Sequence, residues 1–131
     1  MSRRDVLVAE VLAVLHEYQE ALEYGTREDL QKHVHLPVVY VTEDNVQLRE
    51  RYPFDPQKLR VAMDFHHSNA EYAVMHIDET KAHIAITATR MREDDSPIEY
   101  VEAFYILQNR DNQWKIAAFS GIRTAAQEIR T

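Results

Sequence analysis

The chain has no cysteine, which excludes disulfides, thiol nucleophiles and thiolate-held metals. It has two glycines, Gly25 and Gly121, too few and too far apart for a glycine-rich phosphate loop. No apolar run approaches the roughly 20 residues of a membrane-spanning helix. The N-terminus carries charges where a signal peptide needs an apolar stretch, so no leader is expected. Positive charge is never concentrated: the longest basic run is Arg3-Arg4, and the net charge is −7. That balance predicts no nucleic-acid partner and no membrane partner. The missing cysteines fit a cytoplasmic location.

What remains is an ordinary globular composition, 45% hydrophobic and 28% charged over 131 residues. A chain of this length reads as one domain over residues 1–131, able to bury about two-thirds of its unfolded surface.

Leu7, Val8, Val11, Leu15, Tyr18 and Leu22 recur at helical spacing, with Glu10, Glu17, Glu20 and Glu23 off that stripe. They predict a helix over Arg3 to Tyr24, opened by a Ser2/Asp5 capping box and stopped at Gly25. Thr26 and Asp29 repeat the box and predict a short helix to about His33, before Pro37. Val38 to Thr42 is β-branched and aromatic, hence a strand, and Val46 to Glu50 a short second one. Asp55 caps a third helix with Pro56 at its first position. That helix is expected to run to Ser68-Asn69 with Leu59, Ala62, Met63, Phe65 and His66 on one stripe. Four long strands should follow: Glu71 to Asp78, Ala82 to Arg92, and a last hairpin between Ile98 and Arg123. Helices segregated from a run of antiparallel strands predict an α+β fold.

This order of elements resembles the nuclear transport factor 2-like superfamily. The motif-level likeness lies in His35-Leu36-Pro37 before the first strand, and in Tyr105-x-Leu107 followed by Trp114-Lys115-Ile116 in the last hairpin. Among members it looks most like the uncharacterised and polyketide-cyclase-like (SnoaL-like) proteins. The resemblance implies three helices on a strongly curved, mostly antiparallel six-stranded sheet, forming a cone with an internal pocket. It also implies a homodimer.

The final two strands have no obviously wet side. If the hairpin turns about Arg110-Asp111, Ala103, Tyr105, Leu107, Trp114, Ile116, Ala118 and Ser120 share the inner face. Phe104, Ile106 and Phe119 then fall on the other. Three helices cover one face only, so the exposed apolar face predicts a homodimer through Phe104, Ile106 and Phe119. A monomer whose termini wrap that face is the alternative.

Three residues are candidates for catalysis. Tyr18 lies mid-stripe on the first helix, either as a donor inside the cavity or as a satisfied core phenol. In ketosteroid-isomerase-like members a first-helix tyrosine belongs to the oxyanion site, and the resemblance gives Tyr18 a similar place. Isomerases of this type also need a carboxylate in the first strand, and Val38 to Thr42 has none. His66 is either a cavity-facing base or an imidazole bonded to backbone. Glu102 is the one acid in the middle of the last two strands: a buried acid or base, or the ion-pair partner of Arg90 or Arg123. The pocket wall is expected to comprise Tyr18, Tyr40, Met63, His66, Ala118 and Ser120. His33 and His35 have a spacing that metal sites use, but no third ligand follows, so no metal and no cofactor are expected. The reading is a cone that binds a small apolar molecule, with acid–base catalysis of isomerase, dehydratase or cyclase type as its catalytic form. The alternative is a non-catalytic oligomerisation or protein-binding module.

Overall fold

Local hydrogen bonding sets the helix starts. In the computed structural model, which describes residues 1–122, α1 spans Arg3–Tyr24 and α2 spans Arg27–Gln31. Both open on reciprocal capping boxes, Ser2 with Asp5 and Thr26 with Asp29. Gly25 closes α1 by close approach: a Cβ there would lie 2.8 Å from the Ala21 carbonyl oxygen and 2.9 Å from Asp29 Oδ2. Helix α3, Pro56–Met63, is capped by the Asp55 side chain. It ends at Asp64, whose left-handed φ of 55° stops the helix five residues before Asn69.

Six strands form one sheet: β1 Val34–Val41, β2 Val46–Arg49, β3 His67–Ile77, β4 Lys81–Met91, β5 Pro97–Arg110 and β6 Gln113–Ile122. Their order is β2-β1-β6-β5-β4-β3. The β1–β6 pair is parallel and the others are antiparallel, so the sheet is mixed and open. Strand β1 starts earlier than expected and takes in His35 and Pro37. Register breaks interrupt β1, β3, β5 and β6, and bulges of this kind bend and twist a sheet.

Helix α1 lays Leu7, Val11, Leu15 and Tyr18 onto the sheet, where they meet Val38, Ile84, Leu107 and Ile116 in one core. Arg60 ties α3 to the end of α1 by donating to the carbonyls of Leu22 and Gly25.

The last hairpin turns on Asp111-Asn112, both at positive φ, the geometry of a two-residue turn that follows the sheet twist. Asn109 therefore pairs with Trp114, and Leu107 with Ile116. Then Ile106 pairs with Ala118, so Ala117 is an extra residue. This bulge corrects the expected faces of β6. Trp114 and Ile116 point into the core as predicted, but beyond the bulge Phe119 and Gly121 turn inward. Ala118 and Ser120, paired with Ile106 and Phe104, turn out with them. Phe119 is 3% exposed and belongs to the core, not to the outer face.

Candidate functional site

A cavity of about 740 Å³ opens between the second half of α1, the Tyr52–Pro56 segment, α3 and the inner face of the sheet. Its apolar wall includes Leu22, Leu59, Met63, Val101, Ala103 and Phe119. Strand β1 contributes Tyr40, and the bulge brings in Phe119 opposite Tyr105. Pro53 and Pro56 break the chain on either side of Phe54, whose ring stands edge-on to Tyr40, Tyr52 and Phe119.

Tyrosine hydroxyls supply the polar floor. Tyr18 and Tyr52 share a hydrogen bond between their hydroxyls, and the Tyr105 ring stands edge-on to that of Tyr18. Their rings pack edge to face around Phe119, with the Tyr105 and Phe119 centroids 5.0 Å apart. Burial raises every phenol in the group: Tyr18 well above its ordinary value, Tyr52 strongly, Tyr40 less so, and Tyr105 to about 12. All stay protonated at neutral pH and act as donors, not bases. The linked Tyr18 and Tyr52 hydroxyls use one proton in their bond, which leaves one proton to offer to another acceptor.

Arg90 stands beside this floor and lines the cavity. Its Nη1 donates to Glu99 Oε1 at 2.6 Å, and its guanidinium lies 5.9 Å from the Phe65 ring centroid. The Glu99 side chain is wholly buried behind it. Among the described lining residues the sole carboxylate is Asp55, whose side chain accepts from the Gln57 amide.

Of the expected wall, Tyr18, Tyr40 and Met63 line the cavity. Ala118 and Ser120 do not, because of the bulge at Ala117. His66 does not either: α3 has ended, and His66 lies in the connection to β3, exposed, with its Nδ1 2.9 Å from that of His67. Glu102 pairs with Thr87 on the outer face. Its expected partner Arg90 serves Glu99, and Arg123 lies outside the described residues. His35 Nε2 meets the Gln108 carbonyl, and burial lowers the pKa of both His33 and His35. Among the described residues no three metal-ligating side chains gather. No described helix is long and apolar enough to cross a membrane.

Sequence reasoning missed Tyr52, Phe54, Arg90 and Glu99 as site residues. The alternation of Tyr52, Pro53 and Phe54 was a readable signal for the first two, since an aromatic pair flanking proline is an extended segment with a place to bury its rings. The ion pair was hidden in the register of β4 against β5.

A family model described as "NTF2-like protein (DUF6841)" matches residues 56–124, just over half of the chain. A domain of unknown function with a cystatin-like fold from Nostoc punctiforme superposes with a TM-score of 0.71 at 14% identity, covering 99% of this chain and 83% of that one. A candidate scytalone dehydratase from Novosphingobium aromaticivorans gives a TM-score of 0.65 at 17% identity, covering 92% and 86%. An NTF2-like protein of unknown function from Methylobacillus flagellatus gives 0.60 at 18% identity, covering 94% and 96%. No curated protein matches the sequence.

Proposed function

The chain belongs to the NTF2-like family DUF6841, and from that footing we propose that its cavity binds a small, largely apolar molecule by one oxygen. The observation that carries this reading is the bonded Tyr18–Tyr52 hydroxyl pair, with Tyr105 beside it, on the floor of a largely apolar cavity. A cavity of this size suits a molecule of one or two fused rings. The spare phenolic proton fixes its orientation and polarises the carbonyl or hydroxyl it meets. Polarisation of this kind is half of acid–base catalysis. The similarity to a candidate dehydratase supports a catalytic form of the same site, with elimination of water as its reaction type.

Gly121 supplies a clean test. A Cβ built there meets nothing within 4 Å, and the residue lines the cavity. Gly121→Leu is expected to fill the space and abolish binding of 2-naphthol, followed by calorimetry, with Tm unchanged. In the same titrations Tyr52→Phe should weaken binding about tenfold, the cost of one buried hydrogen bond. Undiminished affinity in Gly121→Leu would remove the cavity as the binding site.

We also propose that two copies associate through the outer sheet face. Phe104 and Ile106 lie half-buried at its centre beside Ala85 and Ala118, and Tyr100 stands exposed on the same strand. Glu102, Thr87 and His83 border this patch, an apolar centre with a polar rim that a second copy can meet. Light scattering should report a dimer for the native chain and a monomer for Ile106→Asp. A native monomer at high concentration would rule the association out.

A further inference from the structure

We infer that the cavity selects small apolar acids, the ligand's carboxylate being met by Arg90 among the tyrosine hydroxyls. This rests on the ligand-binding reading of the same cavity and adds the charge of the ligand to it. The orientation of the Arg90–Glu99 pair is the main argument. Glu99 is fully buried and takes no part in the cavity wall, whereas Arg90 keeps 22% of its side chain exposed and lines the wall. The pair thus presents its cation to an incoming molecule and hides its anion in the protein. A guanidinium has five donors in a planar fork that suits a carboxylate, and Glu99 engages Nη1.

The tyrosines register the same field. Arg90 works against burial at Tyr18, Tyr40, Tyr52 and Tyr105, favouring a negative oxygen at each position. A ligand oxyanion placed among those hydroxyls is favoured in the same way, and the enclosed surroundings strengthen the attraction.

The remaining charges point the same way. The described lining residues include three cations, Arg27, Lys58 and Arg90, against the single acid Asp55. The chain as a whole is at −7 and repels anions at long range. A local excess of positive charge at one cavity on an acidic protein is the arrangement that draws an acid to that cavity and nowhere else.

The test compares 2-naphthoate with 2-naphthamide, which has the same ring and nearly the same shape but no charge, by calorimetry on the full chain at neutral pH. The acid is expected to bind about tenfold tighter than the amide, as a charge-assisted fork exceeds a neutral hydrogen bond. In Arg90→Gln/Glu99→Gln, which removes both charges together, the ratio should fall to about one. Arg90→Lys keeps the charge but loses the fork, and should give a ratio between the two. Equal affinities in the native chain, or a ratio that survives in the double variant, overturn the inference. If the amide binds as well as the acid, only this inference fails and the ligand-binding reading stands. If neither binds, both fall.

Discussion

Phe119→Ala is expected to lower the unfolding free energy by about 3–5 kcal/mol, the usual cost of removing a buried phenylalanine ring. The ring is 3% exposed and touches Tyr18, Tyr52, Phe54 and Tyr105, which approach it from α1, the segment before α3 and the neighbouring strand. No one of those elements can close the gap without dragging another, so the vacated space cannot collapse cheaply. Urea unfolding of the native chain and the variant checks this. A loss under about 1 kcal/mol would mean that Phe119 faces outward, and that β6 runs without a bulge at Ala117.

Arg90→Leu should be as costly, about 3–5 kcal/mol, for a different reason. It takes the Arg90 guanidinium from the fully buried Glu99 carboxylate, and weaker pairing of a charge held away from water is expensive. The diagnostic result lies in the pair. Arg90→Leu/Glu99→Leu removes both charges and supplies apolar surface beside Phe65, so it should recover most of the loss, a strongly non-additive cycle. Additive single effects would show that the two side chains do not depend on one another.

What the sequence disclosed was mostly local. The capping boxes at Ser2/Asp5 and Thr26/Asp29 involve residues three apart, and both form as read. The stripe Leu7, Val11, Leu15, Tyr18 needs only helical spacing to place a phenol against the sheet. The α+β class and the NTF2-like family followed from element order. The site was less legible because it depends on relations between distant segments. Asp64 ends α3 by adopting a left-handed conformation, which no periodicity of apolar residues forecasts, and His66 leaves the cavity as a result. Alternation with a period of two places Phe119 outside, and is correct as far as Ile116; one extra residue reverses it. Arg90 meets Glu99 rather than Glu102 because β4 and β5 pair in a register that only the folded sheet defines.

The bulge at Ala117 gives β6 a junction between two independent surfaces. The half before it seals the core under α1 through Trp114 and Ile116, and the half after it furnishes the cavity through Phe119 and Gly121. Because the two halves are out of phase, the pairing of Ala117 decides which face each later residue takes. Pairing Ala117 regularly, with no bulge, would exchange inside for outside along Ala118 to Gly121, whereas deleting it would leave those faces as they are. The volume and character of the cavity are therefore encoded partly as spacing.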